Sequence, residues 1–283
     1  MLLQYIHWNP NPEIFRTGTF ELFNYTLGPI AVRWYGLLFA TGFLCGYFIL
    51  KKIFKKEQVP LTVLDKLMTF LFLATVVGAR LGHCLFYDPQ FYLSHPFEIL
   101  KIWEGGLASH GAAIGIIIAL IIFSYRTCMP FLWYLDRIVI GGALTGAFIR
   151  FGNLMNSEII GKATDLPWGF YFDASHNPSI ANIPRHPTQI YESLAYLLIA
   201  VFLYIYYFKK FPKFKDGQLF GMFLILVFGF RMLIENLKEV QENFEKDLIL
   251  NMGQTLSIPF VLGGVFLLIY IHFRHKKQSA PPQ

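Results

Sequence analysis

Seven long apolar runs constrain this chain more than any other feature of it. A run of about 20 apolar residues is long enough to cross the hydrocarbon core of a bilayer. Lipid offers the backbone no hydrogen-bonding partner, so each such run must satisfy its own N–H and C=O groups as a helix. The pattern predicts spanning helices over residues 29–50, 62–86, 105–125, 131–151, 188–208, 218–237 and 256–273. Only 15% of the residues are charged, against about 25% in a soluble domain. The expected fold is therefore an all-α integral membrane protein. Its seven-helix transmembrane domain runs over 29–273, with an aromatic arm over 1–28, a small cap over 152–187 and a tail over 274–283.

The basic residues set the orientation. Lys51, Lys52, Lys55 and Lys56 follow the first run, Arg126 and Arg137 flank the connection from the third to the fourth, Lys209 to Lys215 separate the fifth from the sixth, and Arg274, Lys276 and Lys277 follow the last. If the spans alternate, all four groups fall on one side, and the positive-inside rule makes that side cytoplasmic. The N-terminus is then outside and the C-terminus inside. The net charge of +6 does not point to nucleic acid, because it lies in short clusters between apolar runs. Residues 1–28 lack the apolar core of a cleavable signal peptide. Cys45, Cys84 and Cys128 lie in or beside apolar runs and form neither a disulfide framework nor a metal pattern. No metal or cofactor is expected.

The same alternation brings polar residues to one depth. Arg33, Arg80, Glu104, His110, Arg150, Gln189, Glu192, Arg231 and Glu235 all fall near the outer ends of spans. A charge at a helix centre costs about 2.5–3.5 kcal/mol on insertion scales, and less toward the ends. Several in one layer imply a shared wet or ion-paired cavity in the outer half of the bilayer. Arg231 and Glu235 are one turn apart and can meet. Guanidinium forks suit phosphate, so the cluster points to a phospholipid headgroup. His110, in E-G-G-L-A-S-H-G, is placed to carry a proton near neutral pH. Ser109 is no nucleophile elbow, since leucine stands where the first glycine belongs. In R-H-P-T-Q-I-Y-E-S, Pro187 suits the first turn of the fifth helix, Thr188 its cap, and Gln189 and Glu192 share a face.

The spacing R-x-x-N-x-x-N-x-E-x-x-G, from Arg150 through Asn153, Asn156 and Glu158 to Gly161, resembles the signature of the prolipoprotein diacylglyceryl transferases. Similar matches run along nearly the whole chain. They are R-W-Y-G from Arg33, G-A-R-L-G-H-C-L-F-Y-D-P from Gly78, E-G-G-L-A-S-H-G from Glu104, R-H-P-T-Q-I-Y-E from Arg185, R-x-x-x-E from Arg231 and M-G-Q-T-L-S-I-P from Met252. The chain departs from the family pattern at Ile149, where glycine is usual, at Ala112 after the His-Gly pair, at I-V-I-G-G-A-L-T-G before the signature, and after Glu235, where it reads N-L-K-E-V-Q-E-N-F-E.

The resemblance implies transfer of an sn-1,2-diacylglyceryl group from phosphatidylglycerol to the lipobox cysteine of a preprolipoprotein signal peptide. This happens in the bacterial cytoplasmic (inner) membrane, among membrane lipids, with the site toward the outer leaflet. It implies catalytic roles for His110, Arg150, Arg231 and Tyr35. It implies substrate binding by Asn153, Asn156, Glu158, Gly161, Arg80, Gln189, Glu192 and Glu235. The substrate thiol is the nucleophile, so no catalytic Ser or Cys is needed. The rival reading is a transporter or flippase for an anionic lipid. It is disfavoured by the absence of an internal repeat and by charges gathered toward one leaflet rather than at the midplane.

Overall fold

A computed structural model describes residues 5–22, 25–27, 29, 31–102, 105–173, 182–239 and 250–278. Glu104, Phe23, most of the acidic connection after Glu239 and the tail beyond Gln278 lie outside the described residues. Five short strands come first: β1 (Ile6–Trp8), β2 (Glu13–Arg16), β3 (Phe20–Leu22), β4 (Tyr25–Leu27) and β5 (Ala31–Arg33). The helices α1 (Trp34–Lys56), α2 (Leu61–Phe86), the short α3 (Pro89–Ser94), α4 (Ser109–Thr127) and α5 (Phe131–Met155) follow. After β6 (Phe170–Phe172) come α6 (Thr188–Lys210), α7 (Gln218–Ile234), which continues as a 3-10 turn over Glu235–Leu237, and α8 (Met252–Gln278). All the helices but α3 give, among the described residues, seven that are long and apolar enough to cross a membrane.

Seven spans match the sequence reading, and some of their ends do not. The first helix starts at Trp34 rather than residue 29, because Ala31–Arg33 pairs antiparallel with Glu13–Arg16 as β5. It ends at Lys56, so the four lysines are its final turns, where cations meet the negative end of the helix dipole. The third starts at Ser109, because Gly105 (φ +94°) and Gly106 (φ +68°) hold left-handed conformations that end any helix. The fourth runs on to Met155 and carries Arg150 and Asn153 inside it.

The described chain divides into two compact units, one of Met1–Phe48 with Ile138–Gln283 and the other of Ile49–Arg137. In the second unit, α2 and α4 approach backbone to backbone. A Cβ on Gly78 or Gly82 would run into Gly111, and one on Gly115 into Ala74. Lipid tails are as apolar as leucine, so helices in a bilayer associate by such close packing rather than by hydrophobic burial. The Ala108 N–H bonds the Ala79 carbonyl at 2.9 Å, an inter-segment backbone bond that this contact permits. Arg137, read from sequence as a flanking loop charge, is buried. Its guanidinium lies 3.0 Å from Glu57 and 4.4 Å over the Trp133 ring, and the Trp133 indole also donates to Glu57 at 3.0 Å.

In the first unit, α1 and α5 meet at Gly46 and Gly141, and α7 and α8 at Gly221 and Gly264. The arm is tied down by β1, which pairs parallel with β6 in the register Ile6↔Phe170 and Trp8↔Phe172. Trp8 packs on a small core of Leu154, Ile160, Phe170 and Phe172. Its indole N–H donates to the Leu154 carbonyl at 2.9 Å. The last carbonyls of a helix have no intrahelical partner, so Trp8 satisfies one at the end of α5, one turn beyond Arg150.

The glycine contacts separate two outcomes. Gly111→Val is expected to overpack the α2–α4 contact and cost about 1–3 kcal/mol, lowering the thermal unfolding midpoint in detergent. Gly142→Ala, at a helical position with open space around it, is expected to leave that midpoint unchanged or raise it slightly.

Candidate active site

The site in the first unit is built around the end of α5. Arg150 and Asn153 are three apart and share a face. The Asn153 amide oxygen accepts from Arg150 Nη1 at 3.4 Å, and its Nδ2 donates to Glu158 Oε1 at 2.6 Å. Asn156 Nδ2 reaches the same oxygen at 3.3 Å. The spacing of the signature thus becomes a relay from guanidinium through amide to carboxylate.

The loop after α5 gives that relay its shape. The Ser157 N–H bonds the Leu154 carbonyl at 3.0 Å and the Glu158 N–H bonds the Asn153 carbonyl at 3.1 Å. This is the pairing of a Schellman stop, with Ser157 (φ +52°) in the left-handed position that glycine usually fills. Ile159 (φ +58°) is also left-handed, which is strained for a β-branched residue and costs about 1–3 kcal/mol. The first turn of α6 holds this strain in place. Thr188 Oγ1 donates to the Ile159 carbonyl at 3.0 Å, and Gln189 Nε2 donates to the Glu158 carbonyl at 2.7 Å. Thr188 therefore serves the loop and not its own helix, whose N-cap position is Pro187 without a side-chain cap bond. Gly161 follows at a close approach, where a Cβ would strike His186 and the Thr188 methyl. Arg185, buried, donates to the Gly161 carbonyl at 3.3 Å and pairs with Glu239 at 2.6 Å.

One face of α6 supplies the counter-charge. Gln189, Glu192 and Tyr196 recur at helical spacing and are all buried. Glu192 is fully buried and divides its carboxylate between two cations. Oε2 lies 3.3 Å from Arg150 Nε, and Oε1 lies 3.0 Å from Lys238 Nζ. Lys238 also reaches Glu235 Oε2 at 3.1 Å. The anticipated pair of Arg231 with Glu235 does not form: Glu235 turns to Lys238, and its carboxylate fills the space a Cβ on Gly253 would take, at the start of α8. A carboxylate there meets the positive end of the helix dipole. Arg231 is half-buried and has no carboxylate partner among the described residues. Tyr196 lies within electrostatic reach of Arg150, Glu192 and Arg231, and Tyr35, packed against Gly152, within reach of Arg150 and Glu158. Gln189 Oε1, Asn156 Oδ1 and Ser157 Oγ are buried without hydrogen-bond partners.

The structure therefore brings together Tyr35, Arg150, Asn153, Asn156, Glu158, Gly161, Gln189, Glu192, Arg231 and Glu235. Arg80 and His110 belong to the other unit. There Arg80, buried beside the Tyr92 ring, donates to the carbonyls of Glu98 (2.6 Å), Ile99 (2.9 Å), Gly105 (2.6 Å) and Gly106 (3.3 Å). These bonds fill its fork with backbone, so it shapes the turn that leads into α4. His110 stands exposed in the first turn of α4. Arg33 is exposed in β5, 3.8 Å from Glu13.

The sequence model of the prolipoprotein diacylglyceryl transferases matches residues 22–270. The chain belongs to that family. It is 48% identical over 265 residues to the phosphatidylglycerol–prolipoprotein diacylglyceryl transferase of Tolumonas auensis, covering 93% of this chain and 96% of that one. It is 44% identical to the protein of the same name from Chloroherpeton thalassium, covering 97% and 96%. A third of that name, from Porphyromonas gingivalis, is 46% identical over 90% of this chain and 94% of its own. Membership sets the transporter reading aside.

Lys238 and Tyr196 escaped the sequence reading of this family site. Tyr196 was within reach of it, being four residues beyond Glu192 on the same face. The local signal of Lys238 is Glu235, three residues earlier; its tie to Glu192 spans 46 residues and leaves none.

Two outcomes follow from the charges. Glu192→Ala strands Arg150 in a buried setting and leaves Lys238 with Glu235 alone, a change that typically costs about 3–5 kcal/mol. A large fall in thermal stability together with lost activity is expected. Burial holds the His186 imidazole below its ordinary value. The unfolded chain then takes up the proton first as pH falls, so stability is full above the unfolded value and declines as pH drops through the folded one. Unfolding midpoints from pH 8 to pH 5 are expected to slope less in His186→Gln than in wild type.

Proposed function

We propose that this chain transfers the diacylglyceryl group of phosphatidylglycerol to the thiol of a lipobox cysteine in a prolipoprotein signal peptide. The observation that carries the reading is Arg231. It has no carboxylate partner among the described residues, while Arg150 and Lys238 beside it are held by Glu192 and Glu235. Its guanidinium is therefore open to an incoming phosphate, and a guanidinium fork suits phosphate oxygens bidentately. The buried acceptors of Gln189 and Asn156 suit the hydroxyls of a glycerol headgroup. Each would otherwise be an unmet hydrogen-bonding demand.

The substrate thiol loses its proton to a base. His110 is our choice for that base, by its chemistry and exposure. A thiol of ordinary pKa about 8.5 is mostly protonated at neutral pH, so a base raises the reactive fraction. The thiolate attacks the glycerol carbon that bears the phosphate ester. A C–S bond forms, the C–O bond breaks, and glycerol phosphate leaves with the bonding pair. Negative charge grows on the departing phosphate, and Arg231 and Arg150 stabilise it as it develops. The proton taken from the thiol ends on the glycerol phosphate or in water. Tyr35 positions the lipid, and Asn153 and Glu158 hold Arg150 in register. The basic helix ends, read as cytoplasmic by the positive-inside rule, support a site in the outer leaflet of a bacterial cytoplasmic membrane.

Purified protein in phosphatidylglycerol vesicles, given a lipobox peptide, is expected to add one diacylglyceryl mass to the peptide cysteine. Arg231→Ala and Arg150→Ala should each lose at least about 100-fold of that activity, in line with removing a transition-state charge contact. His110→Ala should lose about 100-fold with partial recovery at high pH, as expected for loss of a general base. A folded wild-type protein that yields no adduct would overturn the reading.

A further inference from the structure

Lys238 has no role in the reading above beyond charge balance, yet the backbone takes unusual care to place it. It directly follows the 3-10 turn Glu235–Leu237 and forms a β-bridge with Gly161 of the signature loop. On either side of it, the Lys162 N–H bonds the Leu237 carbonyl at 2.8 Å and the Glu239 N–H bonds the Ile160 carbonyl at 3.1 Å. Its side chain, 2% exposed, ends between Glu192 and Glu235. A lysine stem has four rotatable bonds and ordinarily keeps its ammonium in water. Burying it between two carboxylates needs a reason.

The reason lies in what Glu235 would otherwise do. Arg231 and Glu235 are four residues apart, the spacing at which oppositely charged side chains meet on a helix. Left to that local rule, Glu235 neutralises Arg231. Lys238, three residues further on, takes the carboxylate instead and holds it at Gly253. We infer that Lys238 is a positioning residue that competes with Arg231 for Glu235 and so keeps the Arg231 guanidinium available to an anionic headgroup. This rests on the transferase reading. Lys238 touches neither the lipid nor the thiol. It acts through which cation Glu235 chooses.

A double-mutant cycle in lipid nanodiscs tests this. Wild type, Lys238→Arg, Lys238→Met, Glu235→Gln and the Lys238→Met/Glu235→Gln pair are assayed for peptide adduct as the phosphatidylglycerol fraction is varied. Thermal unfolding is followed in parallel. Lys238→Met is expected to raise the KM for lipid about tenfold or more, well within the coupling range of contacting charges. Lys238→Arg should keep the KM near wild type. In the Glu235→Gln background the same lysine substitution should have little effect on KM, because no carboxylate is left to compete for. A purely structural lysine would instead lower stability and activity equally in both backgrounds. If Lys238→Met does not fold, the comparison of the pair with Glu235→Gln alone decides. A KM in the pair about tenfold above that of Glu235→Gln, or an unaltered KM in a folded Lys238→Met, would overturn the inference. An inactive wild type would instead bring down the transferase reading itself, and the two failures are told apart by that one sample.

Discussion

One buried carboxylate holds the site together. Glu192 is fully buried on α6, and its two oxygens face two cations from different parts of the chain, Arg150 on α5 and Lys238 beyond α7. In a low-dielectric interior an isolated charge of either sign would cost several kcal/mol. Each member of the group is therefore tolerable only while the others are present. The strained loop at Ser157 and Ile159 persists for a related reason. The first turn of α6, which presents Glu192, also presents Thr188 and Gln189 to the loop carbonyls. A single helix thus fixes both the charges and the backbone of the signature segment.

Three of the four arginines that hydropathy places at one depth meet three different fates. Arg150 is paired and fixed through Asn153 and Glu192. Arg231 keeps its charge without a carboxylate partner among the described residues. Arg80 spends its guanidinium on four backbone carbonyls and acts as scaffold for the turn before His110. The sequence treats them alike because depth follows from counting residues along a span. For Arg80 and Arg150 the deciding partners, Glu98 and Glu192, lie 18 or more residues away.

The same distinction explains what could be read in advance. Seven spans follow from composition, because lipid allows a long apolar run only one backbone solution. The Arg150–Asn153–Glu158 relay follows from local spacing on a helix and its cap. The start of α1 was misplaced because Ala31–Arg33 is apolar enough to extend the run, yet pairs with Glu13–Arg16 as a strand. The local rule pairing Arg231 with Glu235 failed because a cation outside the helix offered a better-placed partner. The glycines of α2 and α4 signalled close packing without saying against what, and only the fold supplies the partner surfaces.

Trp8 carries a consequence for the order in which the molecule is made. Its indole bond to Leu154 bridges 146 residues of chain, and its strand pairs with β6, made later still. Long-range pairings of this kind form slowly, since the ends of a long loop must first be brought together. A segment made early is thus among the last to find its place. Until α5 and β6 have been synthesised and inserted, β1 has no strand to pair with and the Leu154 carbonyl lacks its indole donor. Assembly itself keeps the charged cluster incomplete until most of the bundle around it exists.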